Sequence, residues 1–322
     1  MSIGLRGENL IFLISQPRAG STLSQRILGS HPEIHTVSEP WLMLHPLYAL
    51  RSQGYEAEYN ALWARNAVKD FLQVLPDSEE AYFEGLRRMH TYLYECAISG
   101  SSKRYFLDKT PRYYFIIPEL YRTFPEAKYI ILLRNPLAVL CSIISTWKKQ
   151  SWFSLSKFKY DLLKAPLLLL EGIKLLEDKC LVLHYEQLLM NPDTEVRKIC
   201  EWLGLDFSAE IINYSVNDSS KWNFGDPKNV YNNTKPNTQN LDKWTLTLKD
   251  PQAWRVANDY LQLLGQEVIN QMGYSYEELR QLLDEHRPHG FYLLYTFPLP
   301  WLLKLRGILP SSKQVPTPSQ NS

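Results

Sequence analysis

Short apolar runs alternate along this chain with longer stretches whose apolar positions recur every three to four residues. The runs at residues 10–15, 34–38, 105–107, 128–133 and 180–183 are too short for core helices and are bounded by turn residues, so they predict strands. Leu10-Ile11-Phe12-Leu13-Ile14 and Tyr129-Ile130-Ile131-Leu132-Leu133 carry no charge, the mark of strands buried on both faces. Helices are predicted from Ser21, over 57–75, 79–98, 113–123, 136–149, 165–177, 192–203 and 250–272, with a short one at 276–284. Leu62, Phe71, Leu72, Leu75, Phe83, Leu86 and Leu93 are the expected core positions of the second and third of these. Ser78, after Pro76-Asp77, is the expected cap of the third. Strands alternating with helices predict an α/β fold: a single domain over residues 1–287 with a mostly parallel central sheet flanked by helices. In such sheets ligands bind at the carboxyl ends of the strands. Four predicted strand ends carry polar groups, at Arg18, Lys109, Arg134 and Tyr185, and are expected to share one edge.

Three stretches break the pattern. Residues 152–164 are aromatic and basic without a period, which predicts a mobile flap. Residues 215–243 are rich in Asn, Asp, Ser and Lys and longer than an ordinary connector, which favours a functional loop. Residues 291–309 are rich in Phe, Tyr, Trp and Leu but interrupted by Pro298 and Pro300. They are expected to pack on the protein or a partner, with contact to a membrane surface as the alternative. Residues 311–322 have the composition of a disordered tail.

Composition narrows the function. With 322 residues and 45% apolar content the chain can bury a large core. A net charge of +1 argues against wholesale nucleic-acid binding. Cys96, Cys141, Cys180 and Cys200 have no C-x-x-C spacing and are read as free thiols in a reducing compartment rather than metal ligands. No secretory signal precedes the first strand, and nothing approaches the roughly 20 apolar residues of a membrane span. The expectation is a cytoplasmic protein that needs no metal.

The chemistry begins where the first strand ends. Pro17-Arg18-Ala19-Gly20 turns the chain and Ser21-Thr22 open a helix. The first N–H groups of a helix lack partners within it, and the helix dipole adds positive potential there. Gly20 lets an anion approach the backbone, and the Ser21 and Thr22 hydroxyls can donate to its oxygens. The triphosphate-binding motif G-x-x-x-x-G-K-[ST] is absent: no lysine precedes Ser21, and Arg18 is the only cation of the turn.

This loop resembles that of the sulfotransferase superfamily, P-[KR]-[SA]-G-[ST]-[ST], which holds the 5′-phosphosulfate of 3′-phosphoadenosine 5′-phosphosulfate (PAPS). Ser142, eight residues after Arg134, adds to the likeness. That pair is similar to the family's grip on the 3′-phosphate, with a charge-assisted contact from Arg134 and a hydroxyl from Ser142. The resemblance covers about residues 10–244 and implies PAPS as co-substrate, bound by Arg18, Ala19, Gly20, Ser21, Thr22, Arg134 and Ser142. Tyr185, in Tyr185-Glu186-Gln187-Leu188, resembles a tyrosine that packs by the adenine. Lys235, with Gly225-Asp226-Pro227 and Trp244, resembles the segment that closes over the nucleotide.

Lys109, in Asp108-Lys109-Thr110-Pro111, stands where tyrosylprotein-type enzymes carry a catalytic lysine, and Glu39, in Ser38-Glu39-Pro40, where they place a base. The implied catalytic residues are Glu39, Lys109 and Arg18. His35 and His45 compete as bases, since cytosolic small-molecule enzymes use histidine, and His184 is a more distant candidate. The likeness is nearer to the tyrosylprotein, heparan-type and bacterial members than to the small-molecule ones. The implied reaction is in-line transfer of a sulfonate to a hydroxyl acceptor, whether small molecule, lipid, glycan or peptide tyrosine. A P-loop nucleotide or small-molecule kinase of related fold is the alternative. It requires the missing lysine and an acidic strand end for Mg²⁺, for which Glu39 and Asp108 are candidates.

Overall fold

The computed structural model describes residues 2–51, 53–54, 56–147, 152–214, 235–238 and 241–288. In chain order these form β1 (Leu10–Ser15), α1 (Ser21–Gly29), β2 (Ile34–Thr36), α2 (Leu44–Tyr48), α3 (Ala61–Gln73) and α4 (Glu79–Ile98). There follow β3 (Tyr105–Lys109), a 3-10 turn at Pro111–Phe115, α5 (Ile117–Thr123), β4 (Lys128–Leu133) and α6 (Pro136–Trp147). The remainder comprises α7 (Lys159–Leu163), α8 (Ala165–Leu176), β5 (Cys180–His184), α9 (Tyr185–Met190), α10 (Pro192–Leu203), α11 (Pro251–Gln271) and α12 (Tyr276–Glu285).

The five strands pair in parallel in the order β2-β3-β1-β4-β5, so the α/β architecture with a parallel sheet is as expected. The central place of β1 explains its composition, because helices cover both faces of such a sheet and every residue from Leu10 to Ser15 is buried. Leu13 lies opposite Lys109 of β3, Ser15 opposite Leu132 of β4, and Leu133 opposite His184 of β5. This register puts the ends of β1, β3, β4 and β5 at one edge, where Arg18, Lys109, Arg134 and Tyr185 follow or close them.

The chain divides into two compact units. One draws on residues 1–134 and 168–241 and holds the whole sheet; the other draws on 135–167 and from 242 onward. An aromatic cluster fills one part of the first unit. Phe12 stacks on Tyr129 with centroids 5.4 Å apart and meets Tyr113 edge-on at 5.9 Å, while Tyr94 packs on Phe106 at 4.8 Å. In the second unit, Tyr260 of α11 donates to the Leu162 carbonyl of α7 (2.9 Å) and Trp254 to that of Leu283 (2.7 Å).

Several local expectations change. Helix α3 begins at Ala61 because the Asn60 side chain caps it, accepting from the Trp63 N–H at 3.0 Å. Leu62 and Phe71 are exposed and Leu72 is buried, since α3 is peripheral and covers little of its apolar surface; Leu93 of α4 is exposed as well. Ser78 holds the cap position of α4 with no side-chain cap bond, in a backbone conformation (φ 46°) unlike that of a capping serine. Residues 152–163, expected as a flap, are helical: a 3-10 turn over Trp152–Phe158 and then α7, with Leu155, Leu162 and Leu163 buried. Helix α10 runs as expected from Pro192 to a left-handed Gly204 (φ 66°). The expectations for Gly225-Asp226-Pro227, for residues 291–309 and for the tail fall outside the described residues.

Candidate active site

The turn after β1 is built on two left-handed residues, Arg18 (φ 73°) and Gly20 (φ 99°), the second of which is the N-cap of α1. Gly20 is required twice over. Its conformation disfavours a side chain, and a Cβ there would lie 2.3 Å from the ring of Tyr185. Tyr185 follows β5, so the tightness of the turn is set by a residue far away in sequence. Ala19 and Ser21 are buried and Thr22 is half-buried.

Arg134, following β4, braces this turn from the other side. Its Nη1 donates to the Arg18 carbonyl at 2.8 Å, and its guanidinium lies 4.4 Å from the centroid of the Tyr185 ring. Its Nε is buried and has no hydrogen-bond partner among the described residues. An unsatisfied buried guanidinium donor beside a helix N-terminus fits a bound oxyanion. Arg134, Tyr185 and Gly20 therefore meet at the turn that carries Arg18 and leads into Ser21 and Thr22 of α1. Ser142 lies on α6, in the other compact unit. Lys235 is exposed, and its carbonyl accepts from Tyr214 at 3.1 Å.

One strand over from β1, Lys109 closes β3. It is fully buried, and its Nζ donates to Glu39 Oε1 at 2.7 Å. The Glu39 side chain is 13% exposed, and its Oε2 accepts from Trp41 Nε1 at 3.2 Å. Burial pushes the Lys109 ammonium below its ordinary value, and the adjacent Glu39 carboxylate opposes that shift. A carboxylate that can accept a proton and a dry, fixed ammonium beside it make a charge pair suited to a reaction that moves a proton one way and negative charge the other. Trp41 stands in a left-handed conformation (φ 56°), with the Arg112 guanidinium 5.5 Å from its ring.

His35 packs on Phe106 (centroids 5.7 Å apart), and burial together with Lys103 lowers its pKa. His45 is exposed on α2, and His184 ends β5.

In sequence, Asp108 is a candidate only for a metal-binding strand end. It is fully buried and accepts from Tyr94 (2.7 Å), Tyr113 (2.9 Å) and Thr110 (2.9 Å), all through their hydroxyls. Burial pushes its carboxyl up to about 6 against the pull of these three hydrogen bonds and of Lys109. The available signal was a single acid in the otherwise apolar run Tyr105-Phe106-Leu107 of a buried strand, because such an acid needs dedicated donors.

A parallel sheet whose first strand passes through a glycine turn into a helix N-terminus, braced by arginine and lacking the P-loop lysine, defines an α/β protein built around that strand–turn–helix. The chain belongs to the sulfotransferase family, whose model matches residues 10–209. It is 27% identical over 288 residues to nodulation protein NoeE of Sinorhizobium fredii, covering 83% of this chain and 66% of that protein. To a putative protein-tyrosine sulfotransferase of Caenorhabditis briggsae it is 24% identical, over 64% of this chain and 69% of that one. The chain thus spans about two thirds of the length of these relatives. Among solved structures, the sulfotransferase domain of the Synechococcus PCC 7002 olefin synthase is similar, with a TM-score of 0.47 and 23% identity over 73% of this chain and 86% of that domain.

Proposed function

We propose that this chain is a PAPS-dependent sulfotransferase that moves a sulfonate in line to a hydroxyl acceptor, with Glu39 as base and Lys109 and Arg18 on the leaving side. The observation that carries this reading is the buried Lys109–Glu39 pair at the end of the strand next to the cradle. PAPS supplies an activated sulfonate on a phosphate leaving group. The cradle residues Arg18, Ala19, Gly20, Ser21 and Thr22 hold its 5′ end, Arg134 and Ser142 the 3′-phosphate, Tyr185 the base, and Lys235 closes from the later loop. When Glu39 takes the acceptor's proton, its carboxylate loses the charge that engages Lys109. The ammonium is then free to stabilise charge developing on the leaving oxygen. Acceptor activation and leaving-group stabilisation are coupled in this way through a single 2.7 Å contact.

The kinase reading has less support. The turn lacks its lysine, Asp108 is enclosed by three hydroxyls, and Glu39 is engaged by Lys109 and Trp41. The acceptor class stays open among alcohols, phenols, lipids, glycans and peptide tyrosine; the nematode relative's name points to protein tyrosine for that protein. Among the described residues no helix is long and apolar enough to cross a membrane, and the four cysteines are free. Free thiols support a reducing, cytoplasmic setting.

Labelled PAPS incubated with representatives of those five acceptor classes tests the proposal. Transfer without added Mg²⁺ is the expected result. Transfer of phosphate from ATP, with no sulfonate transfer to any class, overturns it.

A further inference from the structure

The segment that carries Glu39 is held at both ends by buried side chains. On one side, Gln25 of α1 donates to the Val37 carbonyl and to Thr36 Oγ1 (2.8 Å). On the other, the Trp41 N–H donates to Thr110 Oγ1 (3.3 Å) and the Met43 N–H to the Tyr113 hydroxyl (3.1 Å). Thr110 and Tyr113 share a partner, because each spends its own proton on Asp108. Donating to the carboxylate leaves each oxygen free to accept a backbone N–H from residues 41–43. Tyr94 of α4 saturates the carboxylate from a third direction.

We propose that Asp108 is a positioning residue: it orients the Thr110 and Tyr113 hydroxyls to grip the Trp41–Met43 backbone, and so sets Glu39 against Lys109. This inference rests on the sulfotransferase reading for its effect on rate, and on geometry alone for the clamp. Neutral hydroxyls can point their protons either way; the carboxylate, which only accepts when ionised, fixes both. Pro40 and the left-handed Trp41 shorten and stiffen the path from the gripped backbone to Glu39, so the orientation is transmitted within two residues. Trp41 Nε1, bonded to Glu39 Oε2, adds a side-chain link along the same path. A carboxylate on one face of β3 thereby controls a base that pairs with the lysine following it on the same strand.

The test uses the full chain with Asp108→Asn and Tyr113→Phe. The second variant removes only the bridging hydroxyl and serves if the first fails to fold. Hydrogen exchange at the Trp41 and Met43 amides is expected to quicken about tenfold or more, with β1 and α1 unchanged. The kcat for sulfonate transfer from PAPS is expected to fall about tenfold or more, while the Kd for 3′-phosphoadenosine 5′-phosphate stays within about twofold. In a Glu39→Gln background the kcat loss should nearly vanish, since displacing an absent base has no effect. Unchanged exchange in the folded variants, or losses that multiply with that of Glu39→Gln, overturns the proposal. Quickened exchange in a protein that transfers no sulfonate would uphold the clamp and remove the sulfotransferase reading instead.

Discussion

The proposed phosphate cradle and the Glu39–Lys109 pair close neighbouring strands of one sheet, yet they are assembled differently. The cradle is mostly backbone: two left-handed residues, a helix N-terminus and a glycine pressed against Tyr185, with Arg134 bracing the turn through its carbonyl. The pair is made of side chains, a buried ammonium and a carboxylate from segments far apart in sequence, kept in register by further buried polar groups. A backbone site tolerates many side-chain changes but not a change of conformation. A buried charge pair behaves in the opposite way, because removing one partner strands the other in a dry environment.

Substitutions at the pair should therefore have the largest catalytic effects. Glu39→Gln is expected to lower kcat roughly 10²–10⁴-fold with an alcohol acceptor, and less with an acidic phenol that needs little help losing its proton. Steady-state rates on matched alcohol and phenol acceptors check this. Equal losses on both would show that Glu39 does not act on the acceptor, and retained activity with loss in His35→Ala or His45→Ala would move the base to histidine. Lys109→Ala should cost roughly 10²–10³-fold in kcat with less effect on product-nucleotide affinity, because its contact strengthens as charge develops. Parallel kinetics and calorimetry separate the two quantities.

At the cradle the effect should appear in binding. The protein is expected to bind 3′-phosphoadenosine 5′-phosphate tightly and ATP weakly, and Arg134→Ala to weaken the former by about 2–4 kcal/mol in titration calorimetry. Equal affinity for the two nucleotides would remove Arg134 from the 3′-phosphate. Gly20→Ala is predicted to be more harmful than its size suggests, costing about 1–3 kcal/mol of stability, since it meets both a left-handed φ and the Tyr185 ring. Denaturant unfolding measures it, and a neutral result would mean that the turn relaxes.

A further effect is a pH dependence confined to the clamp. Asp108 has its folded value raised to about 6 from an ordinary 3.8, so the native state holds its proton more tightly than the unfolded chain does. Its contribution to stability is fully present below about pH 4 and is lost as pH rises towards 6, a change of up to about 3 kcal/mol. The groups facing it are Tyr94 of α4, Thr110, Tyr113 and the adjacent Lys109. Unfolding of wild type and Asp108→Asn at pH 4 and 6.5 should show wild type losing stability relative to the variant. A pH-independent difference would place the ionisation elsewhere.

Much of this protein was determined by local sequence. A charge-free run such as Leu10–Ile14 has few alternatives to a buried strand, and the passage from that strand through Gly20 into α1 follows from the same local residues. Helix ends were equally local: α10 lies between Pro192 and Gly204 because proline suits a first turn and glycine a left-handed exit. Tertiary structure decided the rest. Only the fold brings Tyr185 against Gly20, turns Leu62 and Phe71 of α3 outward, and joins Glu39 to Lys109 across 70 positions of chain. The Asp108 clamp was hidden for the same reason. A buried acid reveals in sequence that it needs donors, but which hydroxyls supply them depends on how α4 and the turn after β3 pack, and that is a property of the assembled core.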